Sequence, residues 1–592
     1  MLTNFYGRNN RFLLIVALVI LALVSIYFFN KRNKDTNVTV NAGHNPVKLS
    51  KQIENYIKQQ ASSASICELT KIFGTDLNNI KLINTNLSKC NFENINLQDS
   101  NLIRVSFADA NLKSASLSNA SIQESNFHNA NLSQAKLYNA QLQDSNFSNS
   151  NFEYAILRNA DFQDADLSNA NFTNADLSEA NFKGAKLTGT IFTGANLSGA
   201  IFTEVNLENS DLSNLNLFGA QLRGSNLSKS NLSNSYLESA NLEYSNLDSA
   251  NCENTNFEGS NLSNSNLSQT NLIKTNFRFA NLRNSNFSKS NSFEVNFKDA
   301  NLKFANLSNA NFSFTDFSES NLENVNFENS ILKNSSLTNV ICEVSNLKSI
   351  NAENSDFSNS LFRQVDFSNA NLASTNFENS RFFEIIMKNT SLAKSNLKNL
   401  IIESSDIIDS NFENANFVRS YIKDSNLINS NFIKTNFYGS QFNIVDLHES
   451  NIAYSIFNNT IILNSSNMNE INNNNIILNI SDIEKFAKEH KNLSNMNFSN
   501  LLFENINLTN VDLSNSIFIG SSLKNSILTE NNISNSNFTN SNIENTDFSN
   551  SNLSSSNFTY AKIKNLKINN ANIDKIILNK TSLENTDLSS KN

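Results

Sequence analysis

DLNNI KLINT NLSKC NFENI NLQDS, residues 76–100, divides into quintets with a large apolar residue second in each: Leu77, Leu82, Leu87, Phe92 and Leu97. The pattern continues through 78 quintets to Ile462 with few exceptions. Asn or Asp usually precedes the apolar residue, and the residue before that is usually small, as at Ala110, Ala115, Ala120, Ser125 and Ala130. A period of five matches neither the helical 3.6 nor the strand 2.0, so no ordinary helix or strand keeps these residues on one face. The backbone must turn a corner in every quintet and point each Leu or Phe inward. The chain is therefore a repeat protein.

Composition agrees. Among 592 residues there are 46 Phe, no Trp, one Pro and 12 Gly, and only 17% are charged. A multidomain enzyme of this length normally spends more Pro and Gly on turns and linkers. Apolar residues recur too regularly for a disordered chain. The scarcity of Pro fits a coil whose amide hydrogens bond the next coil.

The units NADLSEANFKGA (Asn174–Ala185) and NLSNANFSFT (Asn306–Thr315) match the motif A(D/N)LXX. Over roughly residues 76–462 and 491–590 the chain resembles the pentapeptide-repeat family. The resemblance implies an all-β fold, a right-handed quadrilateral β-helix with four quintets per coil. Residues twenty apart should then be core neighbours. Leu77, Leu97 and Leu117 begin an unbroken Leu run to Leu237 at that spacing, and Phe257, Phe277, Phe297 and Phe317 continue it. At about 4.8 Å per coil, some 24 coils predict a rod of about 115 Å.

The amino terminus is different. After a basic tail, 1–11, residues 12–29 (FLLIVALVILALVSIYFF) carry no charge, and at about 1.5 Å per residue they span about 27 Å as a helix. Arg8 and Arg11 flank one end; Lys31, Arg32 and Lys34 flank the other. The bulky, basic Tyr27–Lys31 does not look like a signal-peptidase site, so the run reads as an uncleaved, single-pass membrane anchor. The short basic tail before it favours export of the remainder. Residues 30–75 read as linker and cap, because Leu49, Ile53, Tyr56 and Ile57 form one apolar stripe on a short helix. Such a helix covers the apolar end of a solenoid.

Between Ile462 and Leu493 the inward positions shift by one, and residues 493–592 continue in the new frame. The insertion, 463–492, holds an Asn-rich run and then Ser481-Asp482-Ile483-Glu484, a capping box opening a helix to about His490. The expectation is a loop or helix projecting from the rod.

No catalytic, cofactor or metal motif appears. His44, His128, His448 and His490 are scattered, and a regular solenoid offers no pocket to desolvate a carboxylate pair. Cys67, Cys90, Cys252 and Cys342 show neither zinc spacing nor a disulfide framework; Cys90, Cys252 and Cys342 occupy inward slots as small hydrophobes. One surface feature is less bland. The slot after the inward residue turns apolar at Ile408, Val418, Ile428, Ile433 and Tyr438, a candidate interaction patch.

These features describe a non-catalytic, membrane-anchored rod serving as scaffold, spacer or protein-interaction surface. An exported, host-interacting effector is the alternative. The resemblance also raises mimicry of duplex DNA toward a type II topoisomerase. Residues 1–60 hold about +6 of charge, so the net −9 leaves about −15 for the rest. A duplex of the rod's length carries about 68 phosphates, which argues against nucleic-acid mimicry. The final coil presents an apolar end suited to an end-to-end homodimer.

Overall fold

A computed structural model describes residues 46–59, 67–458, 460–463, 465, 476–477 and 483–586. The expected anchor at 12–29, its basic tail and the first part of the linker lie outside them. Among the described residues no helix is long and apolar enough to cross a membrane.

From Asp76 onward the chain is a β-solenoid of stacked coils. Every bridge in the first stretch is parallel and joins residues twenty apart, as in Asp76↔Asn96 and Asn96↔Ser116. Each coil therefore holds four quintets. The inward residue donates its amide to the next coil (Leu97 N to Ser116 O, 2.7 Å), while its predecessor donates to the previous one (Asn96 N to Thr75 O, 2.7 Å). Side chains at the inward positions are fully enclosed, Leu77, Leu97, Leu117, Phe257 and Phe277 among them. Like stacks on like: Phe257 lies on Phe277 at 5.0 Å between ring centroids, Phe277 on Phe297 at 5.2 Å, and Phe297 on Phe317 at 4.9 Å.

The corners explain the abundance of Asn. Two residues after the inward position φ is positive, for example 62° at Asn94, and Ile95 N returns to Phe92 O at 3.1 Å. Left-handed backbone favours Asn and Gly over other residues. Asn before the inward residue has a different task. From Asn206 to Asn326 each side-chain amide donates to the Asn one coil earlier, beginning with Asn226 to Asn206 at 3.0 Å and Asn246 to Asn226 at 3.2 Å. The same oxygen accepts a backbone amide two residues on, as Asn226 does from Ser228 at 3.2 Å. The small slot is polar for a reason too: Ser125 Oγ donates to Leu102 O at 2.8 Å and accepts from Val105 N at 3.0 Å.

Two helices pack at the first end. Helix α1 (Pro46–Gln59) buries Ile53 against the core, with Leu49, Tyr56 and Ile57 packed around it. Helix α2 (Leu69–Phe73) follows, and Phe73 meets Tyr56 edge-on at 5.8 Å. The cysteines need correction. Cys67 and Cys90 form a disulfide, with Cα atoms 4.9 Å apart, tying the cap to the first coils. Cap and coil meet only through tertiary packing, so cysteine spacing could not show the pair. Cys252 and Cys342 are free and buried, as read from their slots. Closing a loop across 23 residues is worth about 3 kcal/mol in the chain-entropy account. Reduction should therefore accelerate amide exchange in α1 while leaving the coils beyond Asn206 protected; unchanged exchange in α1 would contradict this.

The single rod is also corrected. Two separate cores exist: one from Ile53 to Ile462, the other from Ile461 to Ala571. The strand Thr460–Leu463 serves both. It is buried on both faces, with Ile462 in the first core and Ile461 and Leu463 in the second, because successive side chains point opposite ways. Twenty-residue register is then lost, since Ile476 pairs with Thr460. Helix α3 (Ile483–His490) forms where the capping box placed it, but it does not project. Ile483, Phe486 and Ala487 are buried with Leu493 and Met496, closing the start of the second solenoid. From Leu493 the coils resume in the shifted frame, again with twenty-residue register, as in Leu502↔Ser522.

Candidate functional site

The second solenoid folds back beside the first. Asn497 N donates to Gly439 O at 2.8 Å, and Asn497 Nδ2 donates to Arg419 O at 3.2 Å. The Gln441 amide, oriented with its nitrogen toward the second arm, donates to Asn497 O and Ser499 O, each at 3.1 Å. Tyr421 is buried and its hydroxyl bonds Asn500; burial is the main cause pushing that phenol above its ordinary pKa. An added Cβ at Gly439 would stand 2.3 Å from Asn495 O. The lack of a side chain there is what lets the two backbones touch.

Away from this contact the arms enclose a cleft of about 360 Å³. Its first wall presents Arg381, Asn399, Ile401, Glu403, Arg419 and Tyr421. Facing them are Asn500, Asn515, Ile517, Ile519, Asn535 and Asn537. The residues advance by about one coil on each wall, backward along the first arm and forward along the second. Arg419 is fixed at the closed end by a hydrogen bond from a terminal guanidinium nitrogen to Asn495 Oδ1. Desolvation draws its pKa below the ordinary arginine value, with the partial opposing influence of Tyr438. Its Nε and the Oδ1 of Asn399 are buried without a hydrogen-bond partner.

A sequence signal for this face existed in a different slot. The residue before the inward position is Asn at 241, 261, 281, 301 and 321; it then becomes Ile341, Leu361, Arg381, Ile401, Tyr421, Gln441 and Ile461. The Asn run on this face ends at Asn321, three coils before Arg381 in the cleft wall. Of the predicted patch, Ile408 stacks with Ile428 and Val418 with Tyr438 through backbone bonds between neighbouring coils, Asp409 N to Ile428 O at 3.2 Å and Arg419 N to Tyr438 O at 3.0 Å. Ile433 lies on the quintet between, so the five side chains occupy three sides of the coil, and all are half-buried. Val418 and Tyr438 adjoin Arg419 and Gly439 at the contact between arms.

The side chains of the cleft are amides, hydroxyls, two guanidinium groups, one carboxylate and three isoleucines, with no nucleophile beside a base. The free thiols lie far inside the coils, and burial pushes both upward, Cys342 to about 12. Among the described residues no cluster of His, Cys, Asp and Glu is arranged to hold a metal ion.

Two family models match the chain. One, "Pentapeptide repeats (8 copies)", covers residues 145–184, 155–194, 180–214, 216–251, 250–288 and 296–334. The other, "Pentapeptide repeat region", covers 70–147, 355–432 and 511–588. Together they span over two thirds of the sequence. No curated protein matches it. Similar solved structures include QnrB1, a plasmid-mediated fluoroquinolone resistance protein, at 25% identity over 30% of this chain and 89% of that one, TM-score 0.16. A thylakoid-lumen pentapeptide repeat protein of Arabidopsis thaliana is 27% identical over 21% of this chain and 68% of its own, TM-score 0.14. HetL, involved in heterocyst differentiation regulation in a Nostoc cyanobacterium, is 22% identical over 42% and 88%, TM-score 0.12.

Proposed function

Because the chain belongs to the pentapeptide-repeat family, we propose that it is a non-catalytic binding scaffold, a right-handed, four-sided solenoid held at a membrane by residues 12–29. The observation that carries this reading is the cleft between the arms, a concave surface of about 360 Å³ lined by side-chain amides, hydroxyls and two guanidinium groups. The uncharged run at 12–29 supports attachment to a bilayer. The Cys67–Cys90 disulfide supports placement of the solenoid on the exported side, since such bonds persist in oxidising compartments.

Duplex mimicry has less support. Many carboxylates are neutralised by a cation one coil away, including Glu323 by Lys303 at 2.6 Å and Glu353 by Lys333 at 2.9 Å. Surface charge is therefore patterned in pairs and not as a continuous negative track.

Protease treatment of intact cells tests the arrangement. Loss of the second arm, detected with an antibody to residues 493–586, is the expected result; protection until the membrane is permeabilised would place the solenoid on the other side. Self-association through the last coils is a further part of this reading, as Ile577 and Leu583 there are 47% and 43% exposed. Light scattering of the detergent-free segment 46–592 should give twice the chain mass, and a monomer at high concentration would remove the end-to-end dimer.

A further inference from the structure

Within the first arm the backbone ladder between coils is broken at one place. Among the described residues, the amides of Gly184, Leu187, Gly189, Phe192 and Gly194 make no bond to the coil that follows, and those of Asn206, Asp211 and Asn216 make none to the coil before. Bridges run from Asn181↔Ile201 straight to Asn196↔Asn216, with none joining Lys186 to Asn206 or Ile191 to Asp211. One coil earlier the same positions are tied, Leu167 N to Lys186 O at 2.9 Å and Phe172 N to Ile191 O at 2.8 Å. One coil later they are tied again, Leu207 N to Asn226 O and Leu212 N to Asn231 O, both at 2.7 Å. The small inward residues register the gap: Ala185 and Thr190 are 7% and 9% exposed, against 1% and 0% for Ala165 and Ala170.

The sequence at the gap, NFKGA KLTGT IFTGA (181–195), lacks both devices that link coils through side chains. Elsewhere corner residues bond from coil to coil, as Asn139 Nδ2 does to Asn119 Oδ1 at 3.2 Å; here three corners in succession are Gly184, Gly189 and Gly194. The Asn before the inward residue is replaced by Lys186, which turns back to Asp166 at 3.2 Å, and by Ile191, which has no polar group to offer. Neither change suffices alone. The corner glycines Gly219 and Gly259 keep their bonds to the next coil at 2.9 Å, and Leu137 and Leu157 keep theirs at 2.7 Å behind Lys136 and Ile156. Where an Asn returns the ladder resumes: Asn216 Nδ2 donates to Asn196 Oδ1 at 3.0 Å, and Gly199 N reaches Phe218 O at 2.8 Å.

We propose that this seam is a hinge in the first arm. Its axis is the side that stays bonded, where Leu197 N donates to Asn216 O at 2.9 Å, Phe202 N to Gln221 O at 2.7 Å, and Phe182 stacks on Phe202 at 4.8 Å. The other sides, 184–195 against 203–215, open and close about it. The coils on either side are fully laddered and move as rigid bodies, because a solenoid is coupled only through neighbouring coils. The joint rests on backbone bonding; its use, swinging the inter-arm cleft relative to a bilayer, rests on the reading of residues 12–29 as an anchor.

Spin labels on the full chain in detergent test it. Asn129→Cys with Ser249→Cys places labels at exposed corners of one side, six coils apart across the seam. Ser249→Cys with Asn369→Cys keeps the side and the separation without the seam. The native cysteines are disulfide-bonded or buried. The first pair should give the broader distance distribution. Amide exchange at Leu187, Phe192, Asn206 and Asp211 should be faster than at Leu167, Phe172, Asn226 and Asn231 by about tenfold or more, the scale of one lost hydrogen bond. Lys186→Asn combined with Gly189→Asn and Ile191→Asn restores the side-chain links and should narrow the first distribution to the width of the second; the added Cβ at 189 meets only the free end of the Asn169 side chain. Equal widths in the parent, equal exchange on and off the seam, or a triple variant as broad as the parent would each overturn the proposal. Both readouts are blind to the membrane, so failure of the anchor reading would leave the joint standing.

Discussion

Gly439→Asn should part the two arms while leaving each solenoid folded. Asn is suited to the turn itself, since Asn399, Asn414 and Asn429 hold the same slot at φ of 55°, 59° and 51°, beside 66° for Gly439. Backbone strain is thus removed from the comparison. What the new side chain meets is the Asn495 carbonyl, which its Cβ would approach to 2.3 Å. A flexible side chain could swing away; a backbone carbonyl whose residue is tied to the next coil by Asn495 N to Ser514 O at 2.9 Å does not, and overpacking of this kind costs about 1–3 kcal/mol. Small-angle scattering should show a larger radius of gyration. The phenol of Tyr421, now held above its ordinary pKa by burial, should titrate nearer the usual tyrosine range. Gly219→Asn is the control, because nothing lies within 4 Å of a Cβ there. Equal scattering from both variants would show that the contact at Gly439 does not hold the arms together.

The second large effect is expected from Phe538→Ala. Phe538 stacks on Phe518 at 4.5 Å and on Phe558 at 4.7 Å, and all three rings are enclosed. Emptying such a position costs about 3–5 kcal/mol. In a solenoid each coil leans only on its neighbours, so the loss is local in origin and spreads along the stack. The second arm has few coils to absorb it, and the coils from Asn532 to the carboxyl side should lose amide-exchange protection first. Phe182→Ala, in the long first arm with Phe162 and Phe202 stacked on either side, should open a shorter region within an otherwise protected array. A Phe538→Ala protein with the parent's exchange pattern would mean that the coils are not coupled through these columns.

The coils were legible because a period of five joined to a preference at twenty is written in consecutive residues. Leu77, Leu97 and Leu117 announce their own neighbours. The α1 stripe and the capping box before α3 were legible for the same reason: each is a local pattern. The fold-back was not, because it depends on which outer face meets which. The search for apolar residues after the inward position found Val418 and Tyr438 at the margin of the contact, whereas the contact itself is made through other slots, by Arg419 and Gly439 at the corners and by Tyr421 and Gln441 before the inward position. The disulfide escaped in the same way, since Cys67 reaches Cys90 only once the cap has settled on the first coils. Even the abundance of Asn concealed two separate demands, left-handed corners and amide ladders, that one composition figure merges.

The Asn206–Asn326 ladder has a consequence for ancestry. Any amide in its interior faces the same amide above and below, so a coding segment for one whole coil could be duplicated or lost between these residues without presenting any rung with an unfamiliar neighbour. Close relatives are expected to differ in first-arm length by whole coils in that region. The stretch from Gly439 to Asn495 allows no such slippage: adding a coil there would slide Gly439 off Asn495, so its length should stay constant while the first arm before it grows or shrinks.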